Sequence, residues 1–150
     1  MNYDEIKDRL APCGLHCGKC FAFADGEIKK YSKNLKELLG NFEVYALRFV
    51  DLLNEPVFNK YPDFKEMLHF FSQVGCSGCR NEKCKIFKDC KVRECHKNKK
   101  VDFCFQCPYF PCDQTGFDEH LLKRSVEINS RMKNIGVENY FNEIKNKPRY

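Results

Sequence analysis

Apolar residues recur at helical spacing over most of the chain, and no run alternates as a half-buried strand would. Residues 2–11 set Ile6 and Leu10 four apart, which predicts a short helix ended by Pro12. "DGEIKKYSKNLKELL" puts Ile28, Tyr31, Leu35, Leu38 and Leu39 on one stripe, with Gly40 as its stop. Asn41 is placed to cap a second stripe, Phe42, Tyr45, Phe49 and Leu52 or Leu53. "DFKEMLHFFSQV" repeats the pattern with Phe64, Met67, Leu68 and Phe71. Each stripe reads as a buried face. The signal returns in "DEHLLKRSVEINSRMKNIG", which stops at Gly136, and "VENYFNEIKNK" makes a last short helix.

Residues 75–112 break the rhythm. They hold eight cysteines and no clear period, so they read as loops and knuckles ordered by something other than an apolar core. The expected architecture is a mainly α single domain over 1–150 with little or no sheet. It has an N-terminal cysteine loop (12–21), a helical body (25–74 and 117–147) and a cysteine-rich insert (75–113).

Composition narrows this further. Aromatic residues make up 14% of the 150 residues, too many for a disordered chain. The N-terminus has no apolar leader and no stretch approaches a membrane span, so a cytoplasmic protein without a membrane partner is expected. Eleven cysteines is an odd number, and a secreted disulfide scaffold would want an even one together with a signal. Dense thiols at short spacing in a reducing compartment point to metal.

Two cysteines separated by two residues can occupy adjacent corners of a tetrahedron, with zinc–sulfur bonds of about 2.3 Å. Cys17/Cys20, Cys76/Cys79 and Cys104/Cys107 have that spacing, and Cys90/Cys95 is a looser pair. Gly18 and Gly78, inside "CGKC" and "CSGC", are expected to supply the φ > 0 turn that aims backbone N–H groups at sulfur. In sequence order, Cys76, Cys79, Cys84 and Cys90 make one tetrad and Cys95, Cys104, Cys107 and Cys112 a second, though interleaved pairing is an equal alternative. Cys13, Cys17 and Cys20 then lack a fourth ligand, which His16, His96 or a cysteine of the insert would provide. His69 and His120 lie on helical segments and read as surface residues.

The C-x3-C-x2-C of "CGLHCGKC" is also the spacing of clusters that bind S-adenosylmethionine, but such enzymes need strands and helices in alternation after it. "CFQCPYFPC" starts like a ferredoxin run and then departs from it. No paired carboxylates, nucleophile–base set or phosphate loop is present, so an enzyme is not indicated. Residues 80–100 carry nine Lys or Arg against three acids. Beside the neighbouring aromatics this stretch suits a nucleic-acid or protein partner. It equally suits charge compensation: zinc with four thiolates carries about −2, so three sites would offset the formal +5.

Taken together, "CGLHCGKC", "CSGCR", "CKVRECHKNKKVDFCFQCPYFPC" and "IGVENYF" resemble an uncharacterised family, domain of unknown function 3795. The resemblance implies a small intracellular protein suspected of binding metal, with no established activity. It carries over Cys13, Cys17, Cys20, Cys76, Cys79, Cys90, Cys95, Cys104, Cys107 and Cys112, with Cys84 added from spacing. The expected role is structural zinc at two or three multi-cysteine sites. An iron–sulfur redox or sensing protein is the alternative, since four-thiolate sites serve both metals. A zinc-stabilised adaptor for nucleic acid or protein is a further one.

Overall fold

The computed structural model describes residues 1–82 and 84–150. Among them are seven α-helices: α1 (Tyr3–Arg9), α2 (Glu27–Leu39), α3 (Glu43–Leu52), α4 (Tyr61–Gln73), α5 (Val92–Lys99), α6 (Glu119–Ile135) and α7 (Val137–Ile144). Pairing of the β type is confined, among the described residues, to two isolated bridges, Leu10 with His16 and Phe23 with Cys76. No helix among the described residues is long and apolar enough to cross a membrane.

The helices start and stop where local chemistry dictates. Asn2 caps α1 in a reciprocal box: its Oδ1 accepts from Glu5 N–H at 2.9 Å, and Glu5 Oε2 accepts from Asn2 N–H at 2.9 Å. Asp118 caps α6 through Leu121 N–H at 2.9 Å, and Gly136, at φ +85°, separates α6 from α7. Two expectations need correction. The residue before α3 is Phe42 rather than Asn41, and it gives no side-chain cap. The insert is not all loop, because Val92–Lys99 is helical; its apolar anchor Val92 is buried while Glu94, Lys97, Asn98 and Lys99 face water.

α1, α6 and α7 pack together around Ile6, Leu10, Met132, Val137, Tyr140 and Phe141. Phe103 from the insert joins that core and is its largest fully buried side chain. Below it the character of the core changes. Cys13 and Cys17 pack with Ala11, Leu15, Val92 and Leu121, and Cys20 packs with Ala22 and Cys76. Thiols stand there where aliphatic side chains would be expected.

α2, α3 and α4 form a second packing group. α2 and α4 lie side by side with Ser32, Leu68 and Ser72 buried between them, and Phe42, Phe49, Phe58 and Tyr61 stack at the α3 end with ring centroids 5.1–6.2 Å apart. The buried stripes read from the sequence are only partly covered. Tyr31, Leu35, Leu38, Tyr45, Leu52, Leu53, Phe64 and Met67 are exposed, because the helices meet along small residues and turn the larger ones outward.

Candidate functional site

All eleven cysteines are unbridged, and they gather around two small cavities. The first, of about 40 Å³, lies where the N-terminal loop meets the insert, and its lining includes Cys13, Cys17, Cys20, Cys76, Cys79, Cys84 and Cys90. The second, of about 30 Å³, is lined by Cys95, Cys104, Cys107 and Cys112 together with His96. A water molecule needs roughly 10–15 Å³ by this kind of measure, so each cavity has room for an ion. Their donors are almost purely sulfur, the chemistry that suits zinc or iron–sulfur. Among the described residues, however, no three His, Cys, Asp or Glu side chains stand at the corners of a finished coordination sphere.

Backbone hydrogen bonds bring the two cysteine segments together. Ala24 N–H donates to Cys76 O at 2.9 Å, next to the Phe23–Cys76 bridge, and Cys104 N–H donates to Pro12 O at 3.0 Å. The N-terminal loop is therefore docked onto the insert through the backbone. Gly78 does take the left-handed conformation, at φ +94°, but Gly18 does not; the positive-φ glycine of the first loop is Gly14, at φ +88°.

At the centre of the first cavity the Cys79 thiol lies within hydrogen-bonding reach of the sulfurs of Cys17 and Cys84, and its single proton can serve one of them at a time. Those bonds favour the acceptors as thiolates, lowering Cys17 to about 7 and Cys84 to about 5. Cys79, holding the proton, is pushed up strongly for the same reason. Burial raises Cys13 well above the ordinary thiol range and Cys104 to about 12. Thiols so buried lose protons only to a strong counter-charge, which a metal supplies.

The two histidines behave differently. His16 Nδ1 accepts from Lys19 N–H at 3.1 Å, and its ring stacks on Phe141 at 5.4 Å. It lines an open cleft with Arg9, Lys19 and Lys145 rather than the sulfur cavity, and burial lowers it to about 4. His96 pairs Nδ1 with Val101 O at 3.1 Å, while its Nε2 is buried without a partner beside the second set of sulfurs. His69 and His120 are exposed.

Three side chains that hold the site were not read from the sequence. Asn129, fully buried on α6, donates from Nδ2 to Cys13 O at 2.9 Å and accepts at Oδ1 from Phe105 N–H at 3.0 Å, so one amide ties both cysteine loops to the helix. Its signal was a polar residue on the stripe of Leu121, Ser125 and Met132. Arg149, near the end of the chain, donates to His16 O at 2.7 Å and lines the first cavity, where its charge faces the sulfurs. The hydroxyl of Tyr150 accepts from Phe21 N–H at 3.3 Å and reaches Cys20 Sγ at 3.9 Å. Removing Arg149 and Tyr150 should therefore speed alkylation of the N-terminal loop cysteines several-fold, with the helical content kept. Equal labelling rates, measured by mass spectrometry, would show that the tail does not secure the loop.

Part of the basic stretch is engaged in contacts within the fold. Arg80 donates to the carbonyls of Lys7, Leu10 and Asp102 at 2.8–3.1 Å, and its guanidinium lies 4.9 Å from the Phe103 ring centroid. Lys85 bonds Gly75 O, and Lys99 sits 4.5 Å from the centroid of Tyr109. Lys83 lies outside the described residues.

In comparisons with known proteins, a family model described as a protein of unknown function (DUF3795) matches residues 9–117. That span takes in both cysteine segments. No curated protein and no solved structure matches the chain.

Proposed function

Because the chain belongs to the DUF3795 family, which carries no assigned activity, we propose its role from its own residues: it is a metal-binding protein whose thiolates hold structural zinc. The observation that carries this is the collection of eleven unbridged thiols onto two buried cavities. A buried thiol on its own packs as a small apolar side chain, and it is the gathering of so many at short spacing that supports a metal.

Four thiolates close one zinc tetrahedron. Cys95, Cys104, Cys107 and Cys112 supply one such set, with His96 at its side. The seven cysteines of the first cavity exceed one tetrahedron and fall one short of two. Cys13, Cys79, Cys84 and Cys90 share a smaller recess of about 20 Å³, leaving Cys17, Cys20 and Cys76 as a second group. Cys79 touches a member of each group, so it is the sulfur suited to bridge two ions. Three zinc ions with Cys79 shared would use all eleven thiolates.

Metal at these positions has a structural task. The segment from Gly75 to Cys112 contributes little apolar core beyond Val92 and Phe103. Structural zinc provides on the order of 10–16 kcal/mol of apparent binding free energy, enough to order such a segment. Protein purified without oxygen should be colourless and contain three zinc per chain by elemental analysis. A brown protein with iron and acid-labile sulfide would replace zinc with an iron–sulfur cluster. Loss of one zinc in His96→Gln, but not in Cys95→Ser, would move the fourth corner of the single-ion site from sulfur to imidazole.

A further inference from the structure

We infer that the α2–α4 pair is half of a four-helix bundle, completed by a second copy of the same chain. The inference stands on the apolar surface of these helices and is independent of the metal reading.

Both helices carry an a/d seam. Ile28, Tyr31, Leu35 and Leu38 follow a 3-4-3 spacing on α2, and Phe64, Met67, Phe71 and Val74 repeat it along α4 and its end. That spacing is the signature of helices that pack against other helices at a shallow angle. Yet the seam is not what joins α2 to α4. Their contact runs through Ser32, Leu68 and Ser72, while Tyr31 is 59% exposed, Leu35 41%, Leu38 85%, Phe64 45% and Met67 59%.

Helical geometry places these residues on a single surface. At about 100° per residue, Tyr31, Leu35 and Leu38 lie roughly 60–120° to one side of Ser32. Phe64, Met67 and Phe71 lie roughly 40–100° from Leu68 in the same rotational sense. The helices run antiparallel, as the Lys36–His69 contact at 2.9 Å near the end of α2 and the approach of Lys29 to Gly75 near its start require. For antiparallel helices, the same rotational sense brings both stripes to the same face of the pair. A two-helix layer with one continuous apolar face needs another two-helix layer, and a second copy provides one.

Area and charge agree with that occupant. The five exposed side chains present roughly 500 Å² of surface, toward the upper end of the largest apolar patch that a monomer exposes, a size that is often functional. A stable interface buries ~800 Å² per partner, so this patch would form its apolar core with the surrounding polar residues as the rim. α2 carries Lys29, Lys30, Lys33 and Lys36 against Glu27 and Glu37, whereas α4 carries Asp63 and Glu66 against Lys65. A two-fold arrangement that sets α2 of one copy beside α4 of the other brings unlike net charges together twice.

The test is the solution mass of the full-length, metal-loaded protein by light scattering and analytical ultracentrifugation. The expected value is twice the 17.7 kDa chain mass. Leu38→Glu and Met67→Glu, made separately, should each halve that mass and weaken association at least a hundredfold, with metal content and helicity unchanged because both sites are already exposed. A wild-type monomer at about 100 μM would overturn the inference, including one that recruits a different protein through this face. A dimer indifferent to both substitutions would overturn it as well.

Discussion

Cys79→Ser should remove two of the three zinc ions, whereas Cys107→Ser should remove only one. Cys107 stands on the second cavity with three other cysteines, and its loss leaves a three-thiolate site whose remaining ligands are held by their own loop. Cys79 stands between Cys17 and Cys84, within hydrogen-bonding reach of either sulfur. Serine keeps the shape of the side chain but makes a far weaker zinc ligand, so each ion that relied on Cys79 is left with three thiolates. The structural consequence is larger too. The first cavity is the seam between the N-terminal loop and the insert, and closing it joins segments separated by α2, α3 and α4. Constraining so long a loop removes more unfolded-state entropy than closing a short one. Folded domains hold only about 5–15 kcal/mol of net stability, so losing either site should register strongly, and losing both should leave the N-terminal loop unanchored. Elemental analysis with thermal unfolding by circular dichroism checks this. Equal loss of one zinc in both variants would end the shared-sulfur assignment. Unchanged zinc in Cys79→Ser would take Cys79 out of the ligand set.

Helix positions were legible in the sequence because periodicity and punctuation are local. Gly40 and Gly136 stop α2 and α6 as read, and the 3.6-residue rhythm located α2, α3, α4, α6 and α7. What covers each apolar stripe was not legible. An apolar moment says that a helix has a face, not that the same chain supplies its cover, and Tyr31, Leu38 and Met67 lie on stripes that this chain leaves open. The short helix Val92–Lys99 was hidden by its composition, with four basic or His residues and a single buried apolar anchor.

The cysteines divide in the same way. Cys95, Cys104, Cys107 and Cys112, grouped by sequence order, do share one cavity, because nearest neighbours in a compact loop are also neighbours in space. The other order-based group, Cys76, Cys79, Cys84 and Cys90, is not separate: Cys13, Cys17 and Cys20 enter the same cavity. That merger depends on the path of the intervening helices, which no local pattern encodes. The supports from Asn129, Arg149 and Tyr150 were hidden for the same reason, each reaching across more than 100 residues to the N-terminal loop.

Gly14→Ala should destabilise the protein by about 3–5 kcal/mol, although alanine adds a single methyl group. Two costs combine. Gly14 sits at φ +88°, a conformation that L side chains rarely adopt. A Cβ there would also lie 2.2 Å from Ile128 Cγ2 and 3.1 Å from Met132 Cε. Ile128 packs against both the helical core and the cysteine-lined core, and Met132 is fully buried, so neither can yield without moving α6. α6 also carries Asn129, whose amide bonds Cys13 O and Phe105 N–H, so a shift of the helix pulls on both cysteine loops at once. At about 2–4 °C per kcal/mol for a chain of this size, the melting temperature should fall by roughly 10 °C. Ile128→Val in the Gly14→Ala background should return part of that loss, because it removes a methyl group from the side chain that meets the new Cβ. Gly18→Ala is the comparison within the same loop. Gly18 has no positive φ, and its tightest neighbour is the tip of the His16 ring at 3.1 Å, so it should cost much less. Melting curves that placed Gly14→Ala level with Gly18→Ala, or that showed no coupling between Gly14→Ala and Ile128→Val, would mean that the first cysteine loop does not seat against α6 at this glycine.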